Sequence, residues 1–337
     1  MGGIQERRVM KRLGFLIVLT LAVFLTADGA SAQPASDYPA KAIRMIIPFA
    51  PGGASDFVAR IIQPKFMELL GQQIVIENRA GAGGNIGVEV VARAEPDGYT
   101  MLLGNVGTMT INPHLYPNFK IKPMVDLIGI SAIADLPGGI ALHPSMPPNT
   151  IAELIAYAKA RPGQLNYGSA GVSSAQSLSF EYFIDKAGLN IQHVPYKGGA
   201  GAATIGALSG EVKIAVGTMA SFATHHSTGK LKVVGVLAPK RLDSHPNLAT
   251  LVESGFPELT TASWQGIFVP KGTPRQIVNK LYSNLMKVLE DKGVNDRFAQ
   301  VSAVMIANKS PEDFAAFMKT QTDFWGGLIK RLNVPTM

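Results

Sequence analysis

The 337-residue chain contains no cysteine, so no disulfide framework, cysteine-bound metal or cysteine-linked lipid anchor can form. Charged residues make up only 16% and form no run of like sign, which argues against a partner that is nucleic acid or a membrane surface. The Walker phosphate loop is missing, since the Gly229-Lys230 step leads into Leu231. So is the G-x-S-x-G nucleophile elbow, because "YGSAG" (Tyr167 to Gly171) is one residue short. The apolar run Leu13 to Thr26 has 14 residues, below the roughly 18–20 of a membrane-spanning helix.

That run sits between a basic start, "MGGIQERRVMKR", and "ADGASAQ", which ends in a small-x-small site at Ala30-Ser31-Ala32. Together these predict a secretory signal peptide over residues 1–32, cleaved after Ala32. The expected location is the periplasm, where ATP and NAD are not available as ligands. The leader carries four basic and two acidic residues, so the formal net charge falls from +7 to +5 on cleavage. A mildly positive field of this kind raises the encounter rate with anions. The remaining 305 or so residues exceed the roughly 250–300 at which one core stops growing, so two lobes are expected.

An apolar β-branched run, a Gly/Ser turn and a helical pattern recur along the chain. "AIRMIIPFA", "PGGAS" and "DFVARIIQPKFMELLG" make the first such unit; "QQIVIENR", "AGAGG" and "NIGVEVVARAEP" make the second. Such alternation predicts an α/β fold with mostly parallel sheets. "LIGISAIADLPGGIALHPSMP" has no helix of its own and reads as a first crossing between lobes; "SWQGIFVPKGTP" reads as the return. The implied division is lobe 1 over 33–137 plus 259–337 and lobe 2 over 138–258. A capping box at Thr150 and Glu153 opens one second-lobe helix. Thr273-Pro274 and Ser310-Pro311 announce two C-terminal helices.

Three turns carry the chemistry. "PFAPGGASD" (Pro48 to Asp56) places glycines between strand and helix, with Ser55 or Asp56 as the expected cap. "SAGVSSAQ" (Ser169 to Gln176) and "YKGGAGA" (Tyr196 to Ala202) repeat the arrangement in the second lobe. A helix start offers unpaired N–H groups and partial positive charge, so it binds an anion without lysine or arginine. Carboxyl ends of strands in α/β sheets gather such turns at one ligand site. "NRAGAGGNIG" has the wrong spacing for a dinucleotide fingerprint; its glycines are expected to let this turn pack beside "PGGASD", with Asn85 capping the next helix. None of the six histidines is assigned to a serine as its base by local context, so no catalytic residues are named. Adjacent His225 and His226 point about 100° apart on a helix and make a poor metal site, and neither metal nor cofactor is expected. Trp264 is expected to pack at the hinge.

"YPAKAIRMIIPFAPGGASD", "VIENRAGAGGNIG", "PDGYTMLLG", "YGSAGVSSAQ", "HVPYKGGAGA" and "SWQGIFVPKGTP" occur in an order that resembles the Bug-type periplasmic receptors of tripartite tricarboxylate transporters. The resemblance implies a type II periplasmic-binding-protein fold, two Rossmann-like lobes joined by two extended hinge crossings. It also implies a monomer that holds a small organic carboxylate and meets membrane permease subunits. Its carboxylate clamp falls on Phe49, Gly52, Gly53, Ser55 and Asp56, facing Ser169, Ala170, Gly171 and Ser174. Asn85 and Tyr196 fall on further family positions. Gly217-Thr218 stands where the family often has Asp-Asn, and Ala54 where a hydroxyl is frequent. With no acidic residue beside Thr218, amino-acid ligands are disfavoured and a larger or aromatic carboxylate has room.

Overall fold

The computed structural model describes residues 37–196, 199–260 and 263–337. The expected leader, 1–32, lies outside the described residues, as do Lys197 and Gly198 of the third turn. Residues Pro39–Met337 form one compact unit.

Two sheets organise it. The first has the order β2-β1-β3-β10-β4-β11, with β1 (Ile43–Ile47), β2 (Ile74–Asn78), β3 (Thr100–Asn105), β4 (Leu127–Asp135), β10 (Gln265–Pro270) and β11 (Val304–Met305). The second runs β7-β6-β8-β5-β9, with β5 (Gly138–Leu142), β6 (Leu165–Ser169), β7 (Ile191–Pro195), β8 (Ile214–Thr218) and β9 (Lys232–Leu237). β1, β2 and β3 are parallel, as are β6, β7 and β8. Each sheet also takes one antiparallel strand next to a crossing. β5 follows the first crossing and pairs with β8 and β9; β10 follows the return and pairs with β3 and β4. The crossings bond each other reciprocally, Leu136 N–H to Ser263 O at 3.3 Å and Ser263 N–H to Leu136 O at 3.0 Å. Among the described residues this is the α/β two-lobe architecture that the βα alternation predicts.

Helices cover the sheets: α1 (Ala54–Leu70), α2 (Asn85–Ala92), α3 (Ile151–Lys159), α4 (Ala175–Ala187), α5 (Gly199–Ser209), α6 (Met219–Ser227), α7 (Arg275–Glu290), α8 (Lys292–Gln300) and α9 (Pro311–Arg331). Thr150 caps α3 by accepting the Glu153 N–H, and Glu153 returns a bond to the Asn149 N–H. Ser310 caps α9 through the Asp313 N–H. Thr273 does not cap α7; its hydroxyl donates to Pro270 O, and Pro274 holds the cap position. The first of the two C-terminal helices ends at Glu290, and the Asp291 carboxylate accepts the Val294 N–H and starts α8.

Trp264 sits in the return crossing, 2% exposed, with its ring against Phe268, Phe314 and Phe317. The hinge is thereby anchored in the first lobe's core. Asp135 ends β4 beside it. Burial pushes its carboxyl up to about 7 against a hydrogen bond from the Leu136 N–H.

Candidate ligand site

The first turn leaves β1 at Pro48 and enters α1 through Gly53, the N-cap, which has no side-chain bond. Neither Ser55 nor Asp56 takes the cap position expected of it, since both face other partners. The Asp56 carboxylate is buried and accepts from the Gly52 N–H (3.0 Å), Arg60 (2.9 and 3.2 Å) and Asn78 Nδ2 (3.2 Å). Gly52 has φ +81°, a left-handed conformation that favours glycine. Asn78 also donates to Phe49 O at 2.9 Å, which ties the end of β2 to the turn. Burial acts to raise the Asp56 pKa, but its bonds from Arg60, Gly52 and Asn78 hold it below the ordinary value. Ser55 Oγ donates to Gln265 Oε1 at 2.7 Å and fastens the start of α1 to the return strand. The N–H groups of Gly53, Ala54 and Ser55 have no acceptor among the described residues, at the positive end of a 17-residue helix.

The glycine-rich second turn packs against this one, as expected. A Cβ on Gly84 would stand 2.5 Å from Thr108 Cγ2 and 3.2 Å from the Phe49 ring; one on Gly87 would stand 2.7 Å from the Pro48 backbone. Asn85 does not cap α2, whose N-cap is Gly84. Its Oδ1 accepts from Asn112 Nδ2 at 2.7 Å, while Asn112 also donates to Gly83 O.

The second-lobe turn is fixed without a cation. Ser169, wholly buried, meets His193 Nε2 at 2.7 Å, and its Oγ accepts the Gly171 N–H at 3.1 Å. The His193 ring stacks on Tyr167 with centroids 4.5 Å apart, and the Tyr167 hydroxyl donates to Glu181 at 2.5 Å. Ser174 caps α4 through the Ser177 N–H, and its own N–H bonds Gly171 O. The N–H groups of Ala170, Val172 and Ser173 lack an acceptor among the described residues. The lobes touch beside this turn: the Gly107 Cβ position lies 3.4 Å from Ser173 O, and burial raises the Tyr116 pKa against a hydrogen bond with Ser173.

Known proteins resemble this chain in sequence and fold. A model of the tripartite tricarboxylate transporter family receptor matches residues 58–334. The chain belongs to that receptor family. Protein BugT of Bordetella pertussis is 31% identical over 316 residues, 93% of this chain and 96% of the relative. The solved periplasmic binding protein BugD is 34% identical, with a TM-score of 0.82 over 89% of this chain and 100% of that one. A structure from R. palustris, Rpa4515 with adipate, is 30% identical, with a TM-score of 0.84 over 89% of this chain and 100% of that one. The receptor therefore has a type II periplasmic-binding-protein fold.

Within the receptor, two further expected site residues make contacts in the second lobe. Thr218 ends β8, 5% exposed, and bonds Ser221 Oγ at 3.1 Å. The Tyr196 ring fills the gap left by Gly168 and Gly206, inside the second lobe. A separate hollow of about 200 Å³, lined by Tyr182, Phe324, Leu328 and Arg331 among others, includes none of the turn residues. Arg60, Asn78, His193, Glu181 and Gln265 did not stand out in the sequence. Each is an ordinary polar residue until the fold sets it beside its partner.

The Ser169–His193–Glu181 series has the residue types of a hydrolytic triad but not its working geometry. His193 Nδ1 lies 3.8 Å from Glu181, too far for a hydrogen bond. Burial pushes the His193 pKa down to about 4, which makes it a poor general base, and the Ser169 side chain has no access to solvent. No group of histidine and carboxylate side chains among the described residues is arranged to hold a metal, and no described helix is long and apolar enough to cross a membrane.

Proposed function

We propose that this receptor captures a small organic carboxylate between its lobes in the periplasm and delivers it to the permease subunits of a tripartite transporter. One observation carries the reading. The Ser55, Asp56, Ser169 and Ser174 side chains bond within the protein, while backbone N–H groups at the start of α1 and in the loop that leads into α4 remain without acceptors among the described residues. Such groups bind a carboxylate by charge-assisted hydrogen bonds of about 1.5–3 kcal/mol each, and four to six of them support micromolar affinity after ordering costs. The adipate named with the R. palustris structure supports this ligand class. The clamp is assigned to the free N–H groups of Gly53, Ala54 and Ser55, facing those of Ala170, Val172 and Ser173, while Phe49, Gly52, Asp56, Ser169, Gly171 and Ser174 hold the turns in shape. Lobe 1 is 33–137 plus 259–337, and lobe 2 is 138–258.

A thermal-shift screen of carboxylates tests the reading. Ligand at 100 times Kd adds about 2.7 kcal/mol, several degrees in Tm. Adipate, citrate or terephthalate is expected to stabilise the receptor more than aspartate or glutamate. Stabilisation by no carboxylate, together with turnover of a p-nitrophenyl ester abolished by Ser169→Ala, would replace this reading with a hydrolase.

A further inference from the structure

The hollow of about 200 Å³ that excludes the clamp turns lies between elements of both lobes. Tyr182 lines it from α4, which joins β6 to β7 of the second sheet. Phe324, Gly327 and Arg331 line it from α9, which packs on β4 of the first sheet. Glu258 lines it where the chain leaves the second lobe for the return crossing. The space is therefore a gap at the joint rather than a fault in either core.

One residue of its wall is not explained by packing. Gly326 and Gly327 sit side by side in the last turns of α9. Glycine inside a helix costs stability relative to alanine, so each needs a reason. Gly326 has one, since a Cβ there would stand 2.6 Å from the His114 ring. A Cβ on Gly327 would meet nothing within 4 Å. The contacts that cross the gap are of a kind that yields. Arg331 Nη2 reaches the Asp185 carboxylate of α4 at 3.3 Å, both side chains half exposed, and its guanidinium lies 4.9 Å from the Tyr182 ring. An exposed ion pair contributes little and reforms readily. Glu258 lines the same gap, so the guanidinium has a second carboxylate to turn to.

We propose that this hollow is the clearance in which the second lobe moves against the first, and that Gly327 is kept without a side chain for the arrangement in which α4 closes on α9. The structure shows the wider arrangement, in which that glycine has no steric duty. α4 carries the motion to the clamp. Its N-cap, Ser174, ends the clamp loop, and Tyr182 stands eight residues further on, about 12 Å along the helix. A shift at the hollow is thus felt at the free N–H groups of Ala170, Val172 and Ser173. Gly327 is then a positioning residue, which acts on binding without touching the ligand. The clearance is a property of the lobes alone, whichever ligand the clamp takes.

Spin labels test it, on Lys159→Cys in α3 and Lys287→Cys in α7, both exposed positions in a chain with no native thiol to compete. Pulsed electron resonance then reads the distance between the lobes, without and with adipate. The labelled receptor is expected to populate a second distance, and Gly327→Leu to lower that population at least about 10-fold. Gly327→Ala is expected to lower it less, while raising the ligand-free Tm by about 1–2 °C through helix propensity. A glycine with a purely structural role would give the rise in Tm without the restricted joint. Distance distributions that neither substitution changes, without or with adipate, would overturn the clearance. If adipate leaves the wild-type distribution as it was while Gly327→Leu still narrows it, the clearance stands and adipate falls as the ligand. Ligand-free unfolding transitions confirm that the leucine variant is folded, and Gly327→Ala carries the test if it does not fold.

Discussion

The turn after β1 and the turn after β6 each lead from a strand into a helix and each leave backbone N–H groups without acceptors among the described residues, but they are held by different chemistry. The first is drawn around a buried carboxylate, Asp56, which gathers one backbone N–H, one guanidinium and one amide. The second is drawn around a neutral imidazole, His193, which holds a serine. An anion buried beside a proposed anion site is tolerable because Arg60 neutralises it and its oxygens are filled. The difference teaches that side chains in these turns shape the backbone, and that the two lobes pass different electrostatic histories to one ligand. Acid, salt and single substitutions should therefore separate them.

The largest expected effect is at Asp56. Asp56→Ala leaves the Gly52 N–H without its acceptor, removes one of two acceptors of the Asn78 amide and strips Arg60 of its partner, and should cost about 3 kcal/mol in urea unfolding. A loss below about 1 kcal/mol would mean that the first turn holds its shape unaided. Next comes pH. His193 titrates near 4 in the folded receptor against an ordinary 6.5, so the unfolded chain takes up this proton first. Stability from the neutral ring is complete above pH 6.5 and is lost as pH falls towards 4. Asp56, held below its ordinary 3.8, loses its contribution only under that value. The wild-type minus His193→Gln unfolding free energy should thus shrink between pH 6.5 and 4 and stay level above; a flat difference throughout would count against a neutral His193. The smallest effect is at Arg60, whose side chain is 52% exposed. Arg60→Gln should cost about 0.5–1 kcal/mol, and less at 1 M salt.

Much of the architecture was legible because it is local. Hydrophobic periodicity placed the strands and long helices, glycine marked the turns, and the capping pairs at Thr150 and Ser310 announced helix starts that the fold uses. The long helix-free stretch around Asp135 to Gly138 disclosed the first crossing. Side-chain partnerships were not legible, since they join distant segments. Ser55 reads as a cap until the fold brings Gln265, 210 residues away, within 2.7 Å. Asn85 reads the same way until Asn112 approaches it. His193, one of six unassigned histidines, gains its meaning when the parallel pairing of β6 and β7 sets Ser169 against Pro195 and brings the imidazole to the serine. Residue type shows what a side chain can do, and only topology shows what it meets.

The reciprocal bonds between Leu136 and Ser263 make the two crossings one ribbon. A change in the length of either segment is therefore felt by the other at this pair of bonds. An insertion of one residue in either crossing would act as a clutch slipping a tooth. It would shift β5 against β8 and β9 at one end and β10 against β3 and β4 at the other, and both turns would lose their alignment together.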